Sequence, residues 1–221
     1  MEYALQKKIP KDKIFVVGEY GLDHIYRKLP SLKRIQNDKI EILFIGTSMV
    51  EHGYWSGKMR DNLLSEIIKK INIEIGEDAN LKIKIHPTSE NINDYKQVVE
   101  KTGVKTEIIQ KGDVIEMIND SDVIVSFGRS NVFYQVILLK KPLLVLNPYN
   151  DLFYKTLEGI VTECKNVDEV IKNIRDYKQI KLNDITYENF VKKKFYKFDG
   201  KCSERDAVKL INLLSKTHEI W

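Results

Sequence analysis

The sequence predicts an α/β domain: a Rossmann-like three-layer fold with a mostly parallel sheet, followed by carboxyl-terminal helices. Two observations carry this. Short β-branched runs alternate with longer amphipathic stretches, the pattern of strand, crossover helix and strand. Several runs are also apolar nearly throughout, which suits strands covered by helices on both faces and joined by right-handed crossovers.

Taken in order, "KIFVVG" (13–18) is expected to open the sheet, followed by "IEILFIG" (40–46) and "LKIKIHP" (81–87). The third alternates Lys with Leu and Ile and is expected near an edge or half covered. "TEIIQ" (106–110), "DVIVSF" (122–127), "PLLVLN" (142–147) and "IVTEC" (160–164) complete the set. The fully apolar runs at 40–46, 122–127 and 142–147 are expected to be central. Helical patterns lie between the strands at 58–75, 91–102, 113–119, 130–140 and 167–178. After residue 180 the strand signal stops and two helices follow, "DITYENFVKKKFY" and "SERDAVKLINLLSK", the second with Ser203 as expected N-cap. The expected division is a linker or remnant over 1–12, a Rossmann-like domain over 13–180, and helices over 181–221 packing on that domain.

Bulk properties exclude several classes. The 221 residues can bury a real core. The net charge of +4 arises from 36 basic and 32 acidic residues spread along the chain, which argues against a nucleic-acid partner. The densest basic cluster, "VKKKFYK" (191–197), reads as a solvated helix face or a membrane-surface contact. Only Cys164 and Cys202 are present, without metal-ligand spacing, which points to free thiols in a reducing compartment. No apolar run reaches the roughly 20 residues that span a bilayer, and the first residues lack a signal-peptide core. The expected location is the cytoplasm, free or peripheral to the inner face of the membrane.

In a doubly wound sheet, ligands bind outside the carboxyl ends of the strands, so the loops there are the candidates. After the 40–46 strand, Gly46, Thr47 and Ser48 offer backbone and hydroxyl donors; no G-x-G-x-x-G or Walker lysine is present. After the next strand, His86 precedes Pro87, which forces an extended entry to the turn. In "KGD", Asp113 is an expected N-cap, and the backbone at Gln110 and Lys111 could read a base edge. The D-x-D of Asp120 and Asp122 precedes a strand, at the wrong end of the sheet for a metal site, and reads as turn chemistry. Last comes "VSFGRSNVFYQ" (125–135), where Ser126 and Gly128 close a strand and Ser130 or Asn131 caps a helix. Helix amino-terminal amides suit phosphate, and Arg129 adds a cation with a fork of donors.

The succession of "HP", "DVIEMINDSDVIVS", a small-residue turn and "KKPLLVL" resembles the carboxyl-terminal half of GT-B glycosyltransferases of the surface-polysaccharide and sialyltransferase-like kind. UDP-N-acetylglucosamine 2-epimerases share that architecture, and "DGKCSER" (199–205) and "VVGEYGLDHIYRKL" (16–29) are similar to segments found there. The resemblance implies a nucleotide-sugar donor, UDP-, CDP- or CMP-linked, with Thr47, Ser48, His86, Ser126, Ser130 and Asn131 at its phosphates. It implies no further cofactor and no metal. Gln135 stands where many members carry a ribose-binding glutamate, and the epimerase "S-G-G-x-Q-E-E" turn is absent. It also implies that the catalytic base comes from an amino-terminal half or a separate acceptor-binding subunit. The alternatives are a 2-epimerase-like enzyme and a non-catalytic binding or scaffold subunit.

Overall fold

The computed structural model describes residues 8–10, 14–34 and 37–218, the side chains of 216–218 excepted. The chain forms two compact units, Leu32–Asn183 on one hand and the described residues of Met1–Ser31 with Asp184–Trp221 on the other.

Leu32–Asn183 holds a six-stranded, all-parallel sheet of order β3-β2-β1-β4-β5-β6. The strands are β1 (Ile40–Ile45), β2 (Ala79–Lys84), β3 (Glu107–Ile109), β4 (Val123–Phe127), β5 (Leu143–Leu146) and β6 (Thr162–Cys164). The order reverses direction between β1 and β4, which makes that gap the topological switch point. β1, β4 and β5 are central and buried almost throughout, as their unbroken apolar runs require.

Alternation along each strand sends side chains to two layers. Ile42, Phe44, Val123, Val125, Phe127, Leu144 and Leu146 form one core with α2 (Gly57–Glu74), α3 (Ile92–Thr102) and α6 (Val167–Arg175). Phe44 and Phe127 meet edge to face at 5.0 Å across β1 and β4. The opposite parity, including Leu43, Ile45, Ile124, Leu143 and Val145, is buried as well. On that side α4 (Val114–Asp120) packs on β1, and α5 (Val132–Leu138) packs on β5. Ser56, Asn91, Asp113 and Asn166 cap their helices by accepting amide hydrogens at the first turn.

At the amino ends of the strands, Asp122 accepts from the Glu41 amide at 2.9 Å and from Arg34. The D-x-D aspartate is thus part of the turn that registers β4 against β1. Lys141 donates to the Asn119 and Ser121 carbonyls, and burial together with Arg34 pushes its pKa down to about 8.

Residues 14–18, expected as the opening strand, form none. They belong to the other unit, where the Val17 carbonyl accepts from Arg205 Nε at 2.8 Å and Lys209 Nζ lies 3.9 Å from the Phe15 ring centroid. Side chains of the helix over Cys202–His218 reach this segment at Val17 and Phe15. The unit also contains α1 (Asp23–Lys28), α7 (Asp184–Phe195) and α8 (Cys202–His218). The two segments similar to epimerase sequence meet here, some 180 positions apart in the chain. Asp23 accepts from the Cys202 amide at 3.0 Å and from the Ser203 amide and hydroxyl at 2.8 Å. The cap of α8 is therefore the distant Asp23, and Ser203, expected as N-cap, lies inside the first turn and donates to it.

Burial pushes the Asp23 carboxyl up, but the bonds from Ser203 and Cys202 and the charge of Arg27 outweigh it and leave its pKa below the usual value. A depressed folded-state pKa contributes stability that is present above the unfolded value and lost as pH falls through the folded one. Asp23→Ala is expected to destabilise this unit at pH 7 by about 1–2 kcal/mol, read as faster amide exchange in the first turn of α8. The difference from wild type closes as pH falls below about 4.

Candidate functional site

The carboxyl ends of β1, β2, β3 and β4 surround a cleft of ≈ 770 Å³ within the sheet unit. Each loop reaches it for a local reason. After β1, Gly46 donates its amide to the Lys84 carbonyl at 2.8 Å and continues the ladder one residue beyond the strand. A Cβ on Gly46 would lie 2.6 and 2.9 Å from the two carboxylate oxygens of Glu90 and 3.0 Å from the Tyr95 hydroxyl. The loop can pass that carboxylate only as glycine. Thr47 then donates its hydroxyl to the Phe127 carbonyl at 2.6 Å, tying the β1 loop to the end of β4 across the switch point. Ser48 takes up a left-handed φ of 46° and shares a hydrogen bond with Ser89 at 2.6 Å.

Glu90 organises the opposite wall. Buried to 4% exposure, its carboxylate accepts from the His86 amide at 2.5 Å, the Ser48 amide at 3.3 Å and the Tyr95 hydroxyl. Burial raises the Tyr95 phenol pKa, and the Glu90 charge raises it further, so the phenol stays a donor. Arg60 lies 4.8 Å over the Tyr95 ring on the far side.

The His86 ring is exposed at the cleft. Its Nδ1 accepts from the Ser89 amide at 3.1 Å and the Thr88 amide at 3.3 Å. Two amide donors on Nδ1 require a lone pair there, which leaves the ring proton on Nε2 as a donor for a ligand. Lys84, buried to 6% exposure, donates to the Ile85 carbonyl at 2.6 Å and the Gln110 carbonyl at 3.0 Å. Burial lowers its pKa, opposed by the Glu90 charge. Gln110 in turn donates to the Glu90 carbonyl at 2.9 Å, so the ends of β2 and β3 are braced together.

On the β4 side, Gly128 has a φ of 72°, and a Cβ there would meet Met49 at 2.3 Å and Thr47 Oγ1 at 2.7 Å. This is the turn that sends the chain from β4 into α5. Arg129 forms a two-point pair with Asp151, Nε to Oδ2 at 2.8 Å and Nη2 to Oδ1 at 2.6 Å, and lies 5.4 Å over the Phe153 ring. The bond to Asp151 raises the Arg129 pKa and lowers that of Asp151. The Val132 amide bonds to Ser130 Oγ at 3.2 Å and the Phe133 amide to the Ser130 carbonyl at 3.3 Å.

Of the residues singled out in the sequence, Thr47, Ser48, His86, Arg129, Ser130 and Asn131 line the cleft together. Three do not. Ser126 lies within β4, fully buried, and donates to the Ile45 carbonyl at 2.7 Å. Strand parity turns it into the layer opposite Val125 and Phe127 rather than toward the ligand end. Gly128 acts through the turn and not as a lining residue. Gln135 lies one full turn along α5, its Oε1 buried without a hydrogen-bond partner. Lys84, Glu90 and Asp151 were not singled out. A signal existed for Lys84, the second residue before His86 in an alternating strand. Glu90 and Asp151 look like ordinary loop acids.

The cleft is lined by Lys84, Lys111, Arg129, His52 and His86, and among the described residues no aspartate or glutamate lines it. The apolar side chains of Ile85, Pro87 and Val114 also line it. Chemically this is a site for an anion attached to a flat or apolar group. No helix among the described residues is long and apolar enough to cross a membrane.

No protein-family model and no curated protein match the sequence. Solved structures do match the fold. A UDP-N-acetylglucosamine 2-epimerase described as putative, from Listeria monocytogenes, aligns with TM-score 0.64 at 16% identity over 97% of this chain and 57% of its own. The UDP-GlcNAc 2-epimerase of Neisseria meningitidis, solved with UDP-GlcNAc, gives 0.63 at 18% identity over 96% and 58%. That of Methanocaldococcus jannaschii, solved with UDP-GlcNAc and UDP, gives 0.60 at 18% over 96% and 58%. The chain therefore spans little more than half the length of these structures, and what it shares with them is the Rossmann-like fold that the resemblance implies.

Glu90→Ala would leave the His86 amide and the Tyr95 hydroxyl without an acceptor. It is expected to lower stability by about 3 kcal/mol, measured by urea denaturation. Gly46→Ala is expected to destabilise in the same assay, and combining the two to cost less than their sum, because removing the carboxylate makes room for the methyl group.

Proposed function

We propose that this chain binds a nucleotide-activated sugar as the donor half of a GT-B glycosyltransferase acting in cell-surface polysaccharide or glycoconjugate synthesis. The observation that carries the reading is the cleft itself: at the switch point of a parallel sheet, three cations and two histidines and no carboxylate among its lining residues. A nucleoside diphosphate offers the matching charge, and a base would find apolar surface at Ile85, Pro87 and Val114. The fold matches structures solved with UDP or UDP-GlcNAc, which supports the same ligand class.

Under this reading, catalysis by the chain is electrostatic. As the bond to the sugar breaks, negative charge builds on the departing phosphate. The Nε2–H of His86, Lys84, Arg129 and the amides of Ser130 and Asn131 meet it with little reorganisation. The base that activates the acceptor belongs to a second half, either preceding this segment or supplied by another subunit. The 2-epimerase reading rests on the likeness of fold. Epimerisation needs acid and base groups at the sugar, which, like the transferase base, would belong to the second half, so the fold is consistent with both readings. The lysines of α7, Lys192, Lys193 and Lys194, are exposed and suit contact with an anionic membrane surface.

Calorimetry of the chain with UDP, CDP, CMP and GDP tests the reading. One of them is expected to bind, more weakly as salt is raised. Arg129→Ala and Lys84→Met are each expected to weaken it by about tenfold to a hundredfold, the worth of a hydrogen bond to a charged group. Failure of all four nucleotides to bind sinks the donor-site reading.

A further inference from the structure

Arg129 is the shared wall between the cleft and a second, smaller space on the other side of the Gly128 turn. That space, ≈ 180 Å³, is lined by Tyr54, Trp55, Tyr149 and Tyr154 together with Asn147 and Asp151. Its aromatic groups come from two loops, the one after β1 and the one after β5, so sequence alone does not bring them together.

The slot is fixed from behind. Trp55 lies against Phe127 of the core, with ring centroids 4.9 Å apart and planes at 32°, and meets Tyr149 edge-on at 5.8 Å. Tyr154, buried, donates to the Gly128 carbonyl and ties the slot to the turn that aims Arg129. The outer rings are open: Tyr54 is 67% exposed and Tyr149 58%.

The polar groups of its lining are already committed. Asn147 Oδ1 accepts from the Asp151 amide at 2.8 Å, and its Nδ2 donates to Glu163 at 2.6 Å. Asp151 holds Arg129 and accepts from the Phe153 amide at 2.9 Å. With Arg129 and Asp151 neutralising each other, the slot offers a ligand aromatic faces, phenol hydroxyls and the outer edge of a guanidinium. That combination suits a neutral ring with an apolar C–H face and a rim of hydroxyls. It does not suit a second phosphate, and its volume is under a quarter of the cleft's, room for one ring rather than a nucleoside.

We propose that this aromatic slot is a subsite for one pyranose ring, reached across Arg129 by a sugar whose phosphate lies in the cleft. The proposal rests on the nucleotide-sugar reading, and its test separates the two. Each bare nucleotide is compared with its sugar-linked form by calorimetry: UDP with UDP-glucose and UDP-N-acetylglucosamine, GDP with GDP-mannose, CMP with CMP-sialic acid. At least one sugar-linked form is expected to bind about tenfold tighter than its bare partner. Tyr54→Ala and Tyr149→Ala are expected to abolish that factor and leave the bare nucleotide unchanged. Failure of every sugar-linked form to bind better than its bare partner overturns the proposal. So do variants that weaken both forms equally, which would place the base or phosphate in the slot, and variants that change neither. Should no nucleotide bind, the donor reading fails and the slot is judged by itself. Trp55 fluorescence, assigned with Trp55→Phe, is titrated with glucose, N-acetylglucosamine, mannose and sialic acid. A saturable change lost in Tyr149→Ala supports the slot, and no change in any titration overturns it.

Discussion

The geometry of the cleft depends on one buried carboxylate. Glu90 sits behind the loops after β1 and β2 and takes hydrogen bonds from both, at the Ser48 and His86 amides, while Tyr95 of α3 donates from below. A carboxylate removed from water persists only if such donors replace its hydration. Here the donors are backbone groups of the loops that would hold a ligand. Satisfying the charge and shaping the site are therefore the same act. The same carboxylate leaves no room for a Cβ at residue 46. It also adds favourable charge near Lys84, opposing the effect of burial on that ammonium.

This constraint explains what was legible in the sequence and what was not. The six strands of the sheet were, because runs such as "EILFI" and "VIVSF" follow from burial on both faces, a local consequence of composition. Asp113 was legible for a similar reason, since an N-cap acts within three residues. Glu90 was not: its partners at 48, 86 and 95 are assembled by the β1–β2 pairing and by α3, and nothing near it marks it as buried. Ser126 failed in the opposite way. It has the residue type and neighbourhood of a phosphate ligand, but lying within β4 rather than after it turns the hydroxyl toward Ile45. Within a strand, parity decides which layer a side chain enters, and a shift of one residue reverses it.

The terminal unit shows the same limit at longer range. "KIFVVG" has the composition of a strand, yet its described residues, 14–18, form none, and the Val17 carbonyl is taken by Arg205. Ser203 has the composition of an N-cap, yet the carboxylate of Asp23 collects the amides of Cys202 and Ser203. Read separately, "EYGLDHIYRKL" and "DGKCSER" are two short, unspecific segments. Together they form one capped junction, in which Arg205 also pairs with Asp199 at 2.8 Å.

The Arg129–Asp151 pair poses a last question of energetics. A free arginine would meet a phosphate with its whole fork, whereas here two of its donors face a carboxylate. Holding the long side chain in place removes much of the rotamer entropy that binding would otherwise cost, about 2 kcal/mol for an arginine. Against this, a carboxylate near the ligand repels it. The balance is set by distance and sign: Asp151 stands on the slot side of Arg129 and does not line the cleft, while Lys84 and Lys111 do. An anion in the cleft therefore meets the guanidinium first and the carboxylate through it. Under the proposed reading, the pair would orient Arg129 for a phosphate and remove net charge from the aromatic side, the division of labour that a phosphate joined to a neutral ring requires.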